Sequence, residues 1–201
     1  MRSLAVLFTI LTLPVLAVES VSFGKHDRFT LEFPDTWKKP DQPKPGAVVY
    51  RERESGDASF SVSRLFLPKN AKVDLHDTLK SFVTNFRKGG MTVVGDVKGQ
   101  DGLIDGKDSV FAQVPVKLAQ GGQNFSLTFF LVIVDCRDQV LVLQATLPDG
   151  GGNQVRDDCR RIIGSLHEKD PAEIRKKEEA GKTNKEKDAK NPAEDPAPAD
   201  E

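Results

Sequence analysis

Asp74-x-His76-Asp77 places an imidazole and two carboxylates within four residues, the donor types that hold a divalent cation, and His26-Asp27 could in principle approach it. The spacing works against a metal site, because neighbouring positions at a helix start point in different directions. An aspartate there is already explained by capping and by the positive end of the helix dipole. Asp74 is therefore read as an N-cap, and neither a metal nor a cofactor is expected.

Nucleophilic chemistry fares no better. A triad needs base, nucleophile and orienting acid brought together, and the chain has no G-x-S-x-G turn to present a serine. The third histidine, His167, stands at the start of a charged segment, and Gly164-Ser165 falls inside a helical pattern, where packing is the simpler role. Asp149-Gly150-Gly151-Gly152-Asn153 precedes a helix and has the outline of a phosphate cradle. No G-K-[ST] follows it, however, and Asp149, Asp157 and Asp158 would repel an anion, so it is read as a flexible connection. No catalytic residue is assigned, and the chain is expected not to be an enzyme.

The two cysteines, Cys136 and Cys159, leave two readings open. In an exported chain an even count invites a disulfide, which for a loop of this length contributes about 3 kcal/mol. Against it, the strand that follows Cys136 leads away by about 27 Å, and the next helix brings Cys159 back by only about 9 Å. Cys159 also falls on the apolar stripe of that helix, where a buried thiol fits.

The elements that position these residues can be read from periodicity. Phe29, Leu31 and Phe33 alternate with Thr30 and Glu32 as in a half-buried strand, until Pro34, which cannot donate to a ladder. The single tryptophan, Trp37, follows and is read as folding back onto the core rather than as a ligand platform. Residues 47–51 and 58–67 form a hairpin about the turn at 53–57. Leu75, Leu79, Phe82, Val83 and Phe86 then mark an amphipathic helix that stops at Gly89-Gly90. Strands are expected at 91–97 and, briefly, at Leu103-Ile104, separated by a turn at 99–102. A tight turn at Asp105-Gly106 leads into a long strand with Val110, Ala112, Val114, Val116 and Leu118 on one face. In the strand after Gly121-Gly122, Phe129, Leu131 and Ile133 share one apolar face, and Phe130, Val132 and Val134 share the other, the mark of a strand covered on both sides. Residues 140–147 form the last strand. Val155, Cys159, Ile162, Ile163 and Leu166 repeat the stripe of the first helix, with Asn153 as N-cap. Hairpin-length turns and two striped helices predict an α+β domain: one antiparallel β-sheet covered by α-helices on both faces.

The ends bound this domain. Residues 1–17 have a single charge at Arg2, an apolar run and a small-residue site at Val15-Leu16-Ala17, as in a signal peptide cleaved after Ala17. About 15 apolar residues fall short of the roughly 20 that a spanning helix needs, so no integral membrane segment is expected after cleavage. Residues 167–201 have Ile174 as the only large apolar side chain and read as a disordered charged C-terminal tail. The 29 basic and 30 acidic residues interleave, which excludes a single-sign field of the kind nucleic acid selects.

The order of elements over residues 22–166, with Phe29, Leu31, Phe33, Pro34 and Trp37 near the start and Ile162, Ile163, Ser165 and Leu166 at the end, resembles the PsbP-like superfamily of PsbP, DcrB and Mog type proteins. Phe33, Pro34 and Trp37 are its structural motif here. The resemblance implies the layered α+β domain. No metal ligand of the family matches residue by residue, and a fold of this kind does not transfer a photosynthetic role. The expectation is an exported, periplasmic or extracellular, non-catalytic accessory or binding protein whose partner is another protein of the cell envelope. The alternative is a carrier of a small apolar ligand held between sheet and helix, motivated by the apolar surplus on Phe129 to Val134.

Overall fold

A computed structural model describes residues 17–67, 72–136, 138–170, 172 and 174. The strands are β1 (Val18–Phe23), β2 (Phe29–Pro34), β3 (Trp37–Lys38), β4 (Ala47–Arg53), β5 (Ser59–Phe66), β6 (Thr92–Val93), β7 (Gln100–Ile104), β8 (Lys107–Gln120), β9 (Gln123–Asp135), β10 (Gln139–Pro148) and β11 (His167–Glu168). The helices are α1 (Leu75–Lys88) and α2 (Asn153–Gly164). All pairings are antiparallel. The α+β class holds, but the single sheet does not. The strands divide into a three-stranded sheet, β1-β2-β11, and an eight-stranded sheet ordered β3-β4-β5-β10-β9-β8-β6, with β7 also paired to β8.

The break at Pro34 is the crossing between the two sheets. β2 ends on the proline, Asp35 and Thr36 turn the chain, and Trp37 opens the larger sheet opposite Arg53. Phe29, Leu31, Phe33 and Trp37 are all fully buried, so the motif packs one sheet against the other. The rings of Phe33 and Phe60 meet edge to face at 5.5 Å. Buried Arg51 of β4 reaches Glu19 of β1 at 2.8 Å and lies over the Phe33 ring, tying the sheets a second time. β1 has no separate signal in sequence, because its residues, Val-Glu-Ser-Val-Ser-Phe, follow directly on the apolar run, and neither has β11, which is only two residues long and makes its bonds to β2 far away in sequence.

Two buried clusters divide β9 by its alternation. Phe129, Leu131 and Ile133 join Val110, Val114 and Val116 of β8 and Leu79 and Val83 of α1. Val132 and Val134 join Leu141 and Leu143 of β10, the β2 aromatics and Val155, Cys159, Ile162 and Leu166 of α2. Asp74 caps α1 as expected, its carboxylate accepting the Asp77 N–H at 3.0 Å. α2 differs: Gly152 occupies the cap position without a side-chain bond, and Asn153 is the first helical residue. Asp105-Gly106 makes the expected tight turn, both residues at positive φ (51° and 69°).

The region of residues 91–104 departs furthest from expectation. Of residues 91–97 only Thr92–Val93 pair as a strand, and residues 100–102, expected as a turn, belong to β7. The Val94 N–H donates to Pro115 C=O, and Gln100 next pairs with Phe111, so residues 95–99 stand opposite 112–114. That excess is a bulge in an edge strand. Gly99 permits it: a Cβ there would lie 2.7 Å from Val110 Cγ1 and 2.9 Å from both His76 Nδ1 and Leu79 Cδ2.

Candidate functional site

The residues singled out in the sequence do not converge. Asp74 is occupied as a cap, Asp77 pairs with Lys80 at 2.7 Å, and His76 Nε2 lies 2.8 Å from Asp101 Oδ1. Among the described residues no group of three His, Cys, Asp or Glu side chains is placed to hold a metal ion. His26 sits in a 3-10 turn at Lys25–Asp27 that leads into β2. Ser165 Oγ donates to Ile162 C=O at 2.7 Å and accepts the Glu32 N–H at 2.9 Å, fastening the end of α2 to β2. Gly150 takes a positive φ in the connection between β10 and α2, whose Asp149 N–H donates back to Ser126 C=O. Cys136 and Cys159 stand as free, buried thiols in the same cluster. Burial pushes both up to about 12, with Glu168 near the first and Asp158 near the second acting in the same sense.

What does converge is a cleft of about 690 Å3 between β7, β8, β9 and α2. Phe111 and Phe130, both half-buried, and Val132 form its floor, Leu103 and Ile104 one wall, and Ile163 and Gly164 of α2 the other. Leu103 is 68% exposed, so the wall on that side is apolar and open to solvent. The Phe111 ring lies directly over Gly102, where a Cβ would stand 2.5 Å from Cε2. A larger residue at 102 would therefore displace one of the two floor rings. The bulge described above brings Asp96 and Lys98 to the rim, where Gln100, Gln113 and Arg160 complete a polar border. An apolar floor of this volume with a few polar groups at its mouth is the common form of a small-ligand site.

Charged side chains clamp β11 in place. The Arg28 guanidinium bonds Glu168 through Nε, both Asp138 oxygens at 2.9 and 2.8 Å, and Cys136 C=O. Lys107 bridges Asp105 at 2.8 Å and Glu168 at 3.1 Å, and Asp105 also meets His167 Nδ1 at 3.2 Å and accepts the Glu168 N–H at 2.8 Å. Burial alone would raise the Asp105 carboxyl. The bonds from Lys107, the Glu168 N–H and His167 outweigh it and hold the group down at about 2. The network fastens β11 to the β7–β8 turn and to β2, so structure continues past Leu166, through residues expected to begin a tail.

The cleft was only partly foreseen. Of the apolar run on β9, Phe129, Leu131 and Ile133 are buried with α1, and Val132 and Val134 are buried in the other cluster, so most of the surplus is covered within the chain. Phe130 is the ring that remains for the cleft. Leu103, Phe111 and Arg160 carried no signal in sequence, because they meet only through the β7–β8 hairpin and the packing of α2.

No protein-family model matches the chain, and no curated protein sequence does. Solved structures do. Cyanobacterial PsbP (CyanoP) from Synechocystis sp. PCC 6803 matches with a TM-score of 0.57 at 13% identity, covering 80% of this chain and 98% of that one. The Ran-binding protein Mog1p of Saccharomyces cerevisiae matches with a TM-score of 0.52 at 11% identity, covering 78% and 98%. The chain has a PsbP/Mog-like fold. At these identities the likeness is one of fold alone. Among the described residues no helix is long and apolar enough to cross a membrane.

Proposed function

We propose that this chain is an exported, non-catalytic binding protein of the cell envelope, and that the cleft between β7–β9 and α2 is its binding surface. The observation that carries the proposal is the cleft itself: about 690 Å3 with an apolar floor and a polar rim. An accessory role through contacts with another envelope protein accords with a fold shared by PsbP and by the Ran-binding Mog1p. A carrier of a small ligand held between sheet and helix is the second reading, and it is favoured by the position of the cleft between exactly those two kinds of element.

Two further readings belong with this one. α1 and α2 cover opposite faces of the large sheet, supported by their membership in the two clusters that use alternate residues of β9. Residues 1–17 are a signal peptide, a reading supported by the single charge at Arg2, the apolar run and the small residues before the cleavage site; all but Ala17 lie outside the described residues. The expected charged tail falls mostly on residues 171, 173 and 175–201, which lie outside the described residues.

Native mass spectrometry of the protein purified from its envelope tests the function, alongside crosslinking in place. A noncovalent guest, small or protein, that is lost in a Gly164→Leu variant supports it. A bare wild-type chain whose crosslinks map away from the cleft and persist in Gly164→Leu overturns it. The same spectrum reads the amino terminus, and a mature chain beginning anywhere but Val18 removes cleavage after Ala17.

A further inference from the structure

We propose that the cleft binds an amphipathic anion, its hydrocarbon or aromatic body lying between Phe111, Phe130 and Ile163 and its anionic head held at the rim by Lys98 and Arg160. The inference rests on the reading of the cleft as the binding surface and adds the chemistry of the guest.

Shape and charge lead there separately. The volume of about 690 Å3 falls in the range of roughly 300–1,000 Å3 typical of small-ligand sites, and Leu103, Ile104, Phe111, Phe130, Val132 and Ile163 give it side chains that cannot hydrogen-bond. Two glycines keep it open. Gly102 yields its space to the Phe111 ring, and a Cβ on Gly164 would meet nothing within 4 Å, so the α2 wall stops at the backbone. A body without polar groups is therefore accepted between sheet and helix, whereas a polar one would lose its hydration without a replacement partner.

The rim selects the head group. Its lining residues include Lys98 and Arg160 and one carboxylate, Asp96, with the amides of Gln100 and Gln113 beside them, and Asp157 faces Arg160 from the same helix. Lys98 has no ion-pair partner among the described residues. Arg160 gives only Nη1 to Asp157, at 2.9 Å on its own helix, and is 65% exposed, so most of its fork is left to turn toward the mouth. Either cation alone is an ordinary surface residue. Their shared place on the lining of one apolar cleft, on a bulge that Gly99 makes possible and a helix that Gly164 leaves open, points to a carboxylate, sulfonate or phosphate on an apolar stem.

Displacement of 1-anilinonaphthalene-8-sulfonate by dodecanoate and by dodecanol, which share a chain length and differ in charge, tests this. Dodecanoate is expected to compete about tenfold more strongly than dodecanol, the margin of one charge-assisted hydrogen bond. The double variant Lys98→Ala/Arg160→Ala should bring the two within about twofold while leaving dodecanol unchanged, because only the head-group contacts are removed. Gly164→Leu should weaken both by about tenfold or more by filling the cleft, and unchanged thermal unfolding of the double variant shows that its loss is local. If dodecanol competes as well as dodecanoate, or the double variant keeps the preference, the anionic guest is wrong and the cleft reading survives. If Gly164→Leu leaves both competitors unaffected, the cleft is not the site and both fall.

Discussion

Replacing Asp105 with asparagine separates charge from shape in the clamp on β11. Asparagine is among the few residues that tolerate the left-handed backbone of this position, φ 51°, so the tight turn with Gly106 survives. Its amide oxygen can still accept the Glu168 N–H. What disappears is the negative charge facing Lys107 at 2.8 Å and His167 at 3.2 Å. The displacement of the carboxyl from 3.8 to about 2 sets a ceiling of about 2.5 kcal/mol, at about 1.4 kcal/mol for each pH unit. With 25% of the Asp105 side chain exposed, solvent screening brings the expected value nearer to about 1 kcal/mol. The folded value lies below the unfolded one, so the contribution is fully present above about pH 4 and is lost as pH falls from about 4 towards 2. Thermal unfolding followed by circular dichroism at pH 7, 4, 3 and 2 reads it directly. Wild type should exceed Asp105→Asn by about 2 to 4 °C at pH 7, the scale for a domain of this size, and the gap should close by pH 2. A gap that stays constant with pH would show that the carboxylate charge is not what the clamp uses, and no gap at pH 7 would show that the network adds nothing.

Phe33→Ala empties a fully buried site between the two sheets and removes the edge-to-face contact with Phe60, so it should cost about 3 to 5 kcal/mol in urea unfolding. A loss under about 1 kcal/mol would mean the small sheet is not packed on the large one. Cys136 and Cys159, buried and raised to about 12, should resist a maleimide at pH 8 in the native state and give two reactive thiols per chain in denaturant without reductant. Finding none in denaturant would establish a bridge instead. Gly99→Ala forces a methyl into Val110, His76 and Leu79 and should destabilise by about 1 to 3 kcal/mol, whereas Gly164→Ala, with open space around it, should change stability by less than about 0.5 kcal/mol in either direction. Equal effects at the two glycines would contradict the described bulge.

Local periodicity made most of the fold readable. The stripes of α1 and α2 and the double apolar face of β9 each lie within a dozen or so residues, and the turn at Asp105-Gly106 within two, so each is written where it acts. The division into two sheets is written nowhere in that way. Nothing in Phe29 to Pro34 states whether the strand joins the hairpin that follows or pairs with a strand before it, because alternation fixes which side chains are buried and not which neighbour supplies the hydrogen bonds. Pro34 and Trp37 marked the place of the crossing without naming its destination. The end at Glu168 was hidden for a related reason: a charged segment with few apolar residues reads as solvated unless its charges have partners, and those partners, Arg28, Asp105 and Lys107, lie 61 or more positions away.

The cleft shows the same limit at the level of function. Its floor comes from two neighbouring strands, one wall from the edge strand β7 and the other from a helix that follows in sequence only after β10. No window of sequence holds more than two of these parts. The apolar surplus on β9 was a true signal of double burial, yet it named Phe129 to Val134 when Phe130 alone supplies a ring to the opening. The residues that set the opening's character are small or bent rather than reactive: Gly99 allows the bulge that delivers Lys98, Gly102 seats Phe111, and Gly164 withholds a side chain from the wall. A site made by omission leaves no motif. Catalytic spacing is therefore no guide to it, whereas the glycines, where a Cβ would collide or would meet empty space, outline where a guest fits.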